Sequence, residues 1–224
     1  MKTRPPHPSR LRLAAGVVCS LLVVLFTFSA TAQQGAAKSS GGRGLIVNGS
    51  FDDRQEPFKG WVTDYAWTGN HYYAGNKDLV QVLPNEGGHS SVVKLTSAGD
   101  QGTKMECKPI PFEPGYRYVC KLDVKGGPYR VYFAGYKWEP GVRPHDNPEL
   151  GELRLIYKSK ACTADSPVAS WKTEQLELPG VALSAQAKTH LKAVRFLTLY
   201  IWMVKDGFVD NISVERIPDP SVTF

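Results

Sequence analysis

The chain has 224 residues, 42% hydrophobic and 21% charged, and its 27 Lys and Arg against 21 Asp and Glu give a formal net charge of +6. Four of the basic residues, Lys2, Arg4, Arg10 and Arg12, precede an apolar run over residues 13–30, so beyond it 23 basic residues face 21 acidic ones, a net charge of +2. A near-neutral body offers no clustered basic face for nucleic acid, and its length suits one folded domain rather than several.

Residues 1–32 read as a secretory signal: a basic start, an apolar centre and the small-residue ending Ala30-Thr31-Ala32, with cleavage before Gln33. The protein is therefore expected to be secreted or periplasmic. The alternative is an uncleaved membrane anchor, since roughly 17 to 25 apolar residues can span a bilayer. Cys19 follows Val18, where a lipoprotein signal would have a small residue, so lipid attachment is not expected. Residues 33–43 are small and polar, a flexible spacer with nothing to bury. Residues 44–218 form the folded body, and 219–224 a short tail.

Within that body, apolar residues recur with period two, and no stretch keeps a helical period for more than two turns, so the fold class is all-β. Strands are expected over residues 45–47, 79–83, 91–97, 104–112, 116–125, 129–138, 152–160, 171–178, 194–204 and 207–216. Between them lie turn clusters such as Gly87-Gly88, Glu113-Pro114-Gly115, Gly126-Gly127-Pro128 and Pro179-Gly180. Alternation assigns faces. Tyr118, Cys120, Leu122 and Val124 form an inward set, as do Leu197, Leu199, Ile201 and Met203, which turns Thr198, Tyr200 and Trp202 outward.

Residues 129–138 depart from the ordinary one-sided strand. Val131 and Phe133 fill inward positions, while Arg130, Tyr132, Ala134, Tyr136 and Trp138 line the other side. Three aromatics on an outward stripe are costly to leave in water, which points to a ligand surface, a partner surface or a covering loop. The polar segment 139–150 that follows is long enough to wall a cleft or to fold over the stripe.

Of the three cysteines beyond the leader, Cys107 and Cys120 lie on strands joined by the turn at residues 113–116. An exported protein could bridge them, gaining about 3 kcal/mol in the chain-entropy model; otherwise both are small buried apolar residues. No Cys/His cluster has zinc-ligand spacing.

Four motifs in order carry a resemblance. Asn48-Gly49-Ser50-Phe51-Asp52 with Gly60-Trp61 opens the domain, and Phe112-Glu113-Pro114-Gly115-Tyr116-Arg117-Tyr118 marks its centre. Trp171-Lys172-Thr173 with Leu178-Pro179 follows, and Gly207-Phe208-Val209-Asp210-Asn211-Ile212-Ser213-Val214 closes it. Together they resemble the carbohydrate-binding modules of families four and nine, of the galactose-binding-like jelly-roll type, over nearly all of residues 45–217. The resemblance implies a two-sheet jelly-roll β-sandwich with a concave sheet gripping a polysaccharide or oligosaccharide. It also implies a structural calcium near the joined ends, to which Asp52 and Asp210 correspond, though the family usually has Glu where Asp52 stands. The alternative for both is that they cap turns.

Sugar recognition needs flat aromatic faces and planar polar partners. Tyr132, Tyr136, Trp138, Tyr200 and Trp202 supply candidate rings, and Arg130, Arg154, Gln81 and Thr198 candidate polar groups, with Trp67, Tyr72 and Tyr73 as a rim. Trp61 and Trp171 are expected in the packing instead. A glycosidase needs two carboxylates across one cleft; Glu139, Asp146, Glu149 and Glu152 read more simply as a solvated loop. The four histidines beyond the leader, His71, His89, His145 and His190, are scattered. The expectation is thus a noncatalytic glycan-binding protein, with a structural or protein-binding envelope component as the alternative. Such modules normally accompany a catalytic domain, and this chain has room for none.

Overall fold

The structure, a computed structural model, describes residues 44–63, 79–97, 99, 102–180 and 183–222. Its strands are, in chain order, β1 (Trp61–Val62), β2 (Val80–Glu86), β3 (His89–Leu95), β4 (Thr103–Cys107), β5 (Ile110–Pro111) and β6 (Tyr116–Gly126). They continue with β7 (Tyr129–Trp138), β8 (Leu153–Lys158), β9 (Cys162–Ala164), β10 (Val168–Leu178), β11 (Phe196–Met203) and β12 (Gly207–Pro218). A helix, α1 (Ala185–Ala193), precedes β11.

Two antiparallel sheets result. One is seven-stranded, in the order β1-β4-β11-β7-β8, with β5 paired to β11 and β9 to β7; the other is five-stranded, β10-β6-β12-β3-β2. The chain crosses between the sheets at β1 to β2, β3 to β4, β5 to β6, β6 to β7, β9 to β10, β10 to β11 and β11 to β12. This is a two-sheet jelly-roll β-sandwich. The core is the space between the sheets, filled from one side by Tyr129, Val131, Phe133, Leu197, Leu199, Ile201 and Met203 and from the other by Tyr118, Cys120, Leu122, Val124, Val209 and Val214, all fully buried. Two inner faces contributing alternate residues is what sheet-on-sheet packing demands.

The first and last segments meet. The Leu45 amide donates to the Val214 carbonyl at 2.9 Å, and the Ile212 amide donates to the Gly49 carbonyl at 2.8 Å. The second bond falls in a β-bulge of β12, where the register against β6 shifts between Asp210 and Ser213 and Asn211 takes a φ of 49°. The approach is so close that a Cβ on Gly49 would stand 1.8 Å from the Ile212 carbonyl oxygen. Asn48 organises the rest: its side-chain amide donates to the Pro57 carbonyl at 2.8 Å, and its own carbonyl accepts from the Trp61 indole at 3.3 Å. Trp61 is thereby held against Phe51, ring centroids 5.3 Å apart, and both are buried. The opening motif is a device for closing the sandwich.

Several expected elements differ. Residues 45–47 form no ladder, Leu45 being tied to β12 by a single bond. The expected strand over 104–112 is broken into β4 and β5 by Lys108 and Pro109, the latter having no amide to donate. The chain passes to the other sheet only after β5, so Cys107 in β4 and Cys120 in β6 belong to opposite sheets rather than to neighbouring strands. Cys107, Cys120 and Cys162 are all free thiols. Cys107 instead accepts a hydrogen bond from the Leu199 amide at 3.0 Å, and burial pushes its thiol up to about 12. Helix α1 was not visible because it is mostly polar. Leu191 is its buried residue, and its start is set by Ser184, whose hydroxyl accepts from the Ala187 amide at 3.1 Å.

Substituting Gly49→Ala forces the closing backbone apart, and overpacking typically costs about 1–3 kcal/mol. Gly151→Ala, where an added Cβ meets nothing within 4 Å, is the control. Urea unfolding should show a large drop in midpoint for the first and almost none for the second.

Candidate functional site

Because odd-numbered residues of β11 enter the core, its even-numbered ones, Phe196, Thr198, Tyr200 and Trp202, face away from it. The register sets Trp202 opposite Arg130, Tyr200 opposite Tyr132, Thr198 opposite Ala134 and Phe196 opposite Tyr136. On the other flank Trp202 lies opposite Lys104 and Tyr200 opposite Glu106. Strand β8 adds Leu155 opposite Tyr136 and Lys158 opposite Ala134. The outer face of the seven-stranded sheet thus gathers Arg130, Tyr132, Tyr136, Trp138, Tyr200 and Trp202 from two adjacent strands.

The rings on this face are paired rather than loose. Tyr132 stacks on Tyr200 with centroids 4.7 Å apart and planes 19° from parallel. Trp138 meets Phe196 edge-on at 5.3 Å. Cations lean on the rings: Arg130 lies 5.5 Å from the Trp202 centroid, Lys158 5.6 Å from Tyr132 and Lys104 5.7 Å from Tyr200. Tyr132, Trp138, Tyr200 and Trp202 remain partly exposed, whereas Tyr136 is buried.

Tyr136 is buried because it serves Glu106. Its hydroxyl donates to Glu106 Oε1 at 2.6 Å, and the Thr198 hydroxyl donates to the same oxygen at 2.7 Å. Glu106 is 3% exposed and Lys104, two residues earlier on the same face, 6%. Burial lowers the Lys104 ammonium below the usual lysine range, against the opposing pull of Glu106, and burial together with Glu106 raises the Tyr136 hydroxyl well above the usual tyrosine range. Sequence reasoning missed this buried polar centre. Lys104 and Glu106 alternate with apolar neighbours, as solvated residues on any strand do, and only the interior place of β4 distinguishes them.

The remaining expected residues are dispersed. Arg154 pairs with Lys137, one step out of phase with Tyr136 and Trp138, so alternation sets it on the other side from them. Gln81 lies on β2, in the five-stranded sheet. Trp67, Tyr72 and Tyr73 lie outside the described residues. Trp61 is in the core, and Trp171 on β10 packs against His89 at 4.1 Å. The segment 139–150 turns back at once, the Glu139 amide donating to the Glu152 carbonyl at 2.9 Å, and brings His145 to 5.1 Å from Trp138. Pro111, Trp138, Pro144, His145, Asp146, Arg195 and Phe196 then line an open cleft of about 350 Å³ at the end of the aromatic face.

Asp52 and Asp210 lie at the closure, away from this face. Asp210, on the bulge of β12, is 2% exposed; one carboxylate oxygen is 2.6 Å from His89 Nδ1, and the other is buried with no hydrogen-bond partner. Burial raises the Asp210 carboxyl, and the nearby Asp52 charge adds to that. Asp52 is exposed and accepts from the Ser90 hydroxyl at 2.7 Å, the largest influence lowering its carboxyl. Two carboxylates, one of them with an orphaned buried oxygen, suit a cation that takes oxygen ligands. Among the described residues no group of three or more His, Cys, Asp or Glu side chains has metal-binding geometry, so backbone carbonyls would have to complete such a site.

No protein-family model and no curated protein matches the chain. Carbohydrate-binding modules are among the solved structures similar to it. A family-61 module in complex with β-1,4-galactotriose shares 14% identity over 78% of this chain and 99% of that one, with a TM-score of 0.41. A family-4 module shares 13% over 76% and 99%, with a TM-score of 0.38. The enzymatically active domain of tailspike protein 4 from bacteriophage CBA120 shares 14% over 78% of this chain, with a TM-score of 0.44, and this chain spans only 21% of it.

Tyr136→Phe removes a buried hydroxyl that donates to a carboxylate, and the unfolding free energy should fall by roughly 1.5–3 kcal/mol. Tyr200→Phe, on a partly exposed ring, should cost less than that in the same denaturation series.

Proposed function

We propose that the protein is an exported, noncatalytic glycan-binding β-sandwich, and that its site is the outer face of the seven-stranded sheet. The observation that carries this reading is the stacked Tyr132–Tyr200 pair, flanked by Trp202 and Trp138 and bordered by Arg130 and Lys158. A pyranose ring presents an apolar C–H face that packs against such rings, while its hydroxyls seek the polar groups alongside. Exposed rings held in fixed orientation lose little entropy on binding, which favours them as anchors.

Glu106 has a supporting role in this reading. Tyr136 and Thr198 hold its Oε1, so the carboxylate locks β4, β7 and β11 in register beneath the rings rather than serving as an acid or base. A glycosidase would need a second carboxylate across the cleft. Among the described residues of this face, Glu106 is the carboxylate the strand registers place there. Export rests on the leader, and N-terminal sequencing of the exported chain should begin at Gln33.

Calcium belongs to the same proposal as a structural ion rather than a part of the sugar site. Asp52 and Asp210 would hold it, joining the segment after Gly49 to the bulge of β12, and it would occupy the orphaned Asp210 oxygen. The thermal midpoint should then fall when a chelator is added and recover with excess calcium; an unchanged midpoint would remove the ion from the account.

The full chain should be retained on at least one glycan of an array or insoluble-polysaccharide pull-down. Tyr132→Ala and Trp138→Ala should each weaken retention by about tenfold or more, since a stacking ring contributes on the order of 1–3 kcal/mol. Failure to bind any glycan, with a stable protein partner recovered instead, would favour the envelope-protein reading.

A further inference from the structure

Cations stand on both outer faces of the sandwich. On the five-stranded sheet Arg117 pairs with Glu177 at 3.0 Å and Lys125 with Glu86 at 2.8 Å. On the seven-stranded sheet Arg130 and Lys158 are exposed and lean on Trp202 and Tyr132, and among the described residues neither has a carboxylate within ion-pair distance. The carboxylate of that face, Glu106, is buried, with Oε1 taken by two hydroxyls. The accessible charge beside the stacked rings is therefore positive, although the body of the chain is nearly neutral.

We propose that the glycan taken by this face is anionic, bearing a carboxylate or a sulfate ester, with Arg130 and Lys158 as the residues that select it. This rests on the glycan-binding reading above and narrows it. Lys158 lies opposite Ala134, four residues along β7 from Arg130, a separation of about 13 Å at the strand rise. The Tyr132–Tyr200 stack lies between them. A sugar resting on the stack has a cation at either side, so its ring is held by C–H contact and its anionic substituent by a charge-assisted hydrogen bond. Arg130 can grip a carboxylate or sulfate with two parallel N–H donors, and such bonds are roughly twice as strong as neutral ones. Cations leaning on aromatic rings are already positioned, which lowers the cost of receiving the anion. A neutral glycan would leave both charges unanswered.

Retention of the full chain in affinity gels should be measured on polygalacturonate for the carboxylate, dextran sulfate for the sulfate, and xylan and a β-glucan as neutral polymers. Polyglutamate serves as a polyanion without sugar, and each is run at low and high salt. The expected result is retention on polygalacturonate or dextran sulfate that weakens with salt, exceeds that on polyglutamate, and falls roughly tenfold or more with Arg130→Gln and with Lys158→Gln. Both are exposed substitutions, and unchanged melting midpoints verify that the fold is intact. Which of the two polymers is retained identifies the anion. Retention on xylan or β-glucan alone, indifferent to both substitutions, would overturn the anionic proposal while leaving glycan binding standing. Equal retention on polyglutamate would overturn it as plain charge attraction. No retention on any sugar polymer would instead remove the glycan reading on which it rests.

Discussion

The constraint on which this molecule depends is the two-sidedness of the seven-stranded sheet. Leu197, Leu199, Ile201 and Met203 are fully buried between the sheets, so Thr198, Tyr200 and Trp202 have to face away. The same holds for β7, where Val131 and Phe133 enter the core and Arg130 and Tyr132 turn outward. Neither strand can slip by one residue without exchanging its core residues for polar and aromatic ones. The energetics of burial, about 25 cal/mol per Å² of apolar surface, therefore hold the register of the aromatic face as firmly as they hold the fold.

Upon that register sits a second, polar constraint. Glu106 draws hydroxyls from two neighbouring strands to one oxygen, on a face where Lys104 is also buried. A buried carboxylate is tolerated only when its hydrogen bonds are made, so the geometry around it has little freedom. Tyr136, which composition alone would group with the other rings, is committed to this network. The rings left partly exposed are Tyr132, Tyr200, Trp202 and Trp138, and the Tyr132–Tyr200 stack keeps two of them in place.

Closure is a separate matter with its own chemistry. Gly49 meets the Ile212 carbonyl so closely that no side chain fits, and Asn48 ties Pro57 and Trp61 to the same corner. The bulge that makes this contact also carries Asp210, whose buried, half-partnered carboxylate sits beside His89. The end-motifs thus explain how the sandwich shuts. They contribute nothing to the aromatic face.

Much of this was legible in the sequence, because alternation is a local property. The strand over residues 129–138, its outward stripe and the outward set of β11 follow from period two alone, and so does the inward set Tyr118, Cys120, Leu122 and Val124. What the tertiary structure decided is everything that depends on which strands are neighbours. Pairing across the core put Cys107 and Cys120 in opposite sheets, set Arg154 out of phase with Trp138, and sent Gln81 to the other sheet. It also buried Lys104 and Glu106, residues that look solvated in sequence. Local pattern says which way a side chain points, but its partners and its burial come from contacts between residues far apart in the chain, such as Glu106 with Thr198, and no local signal encodes those.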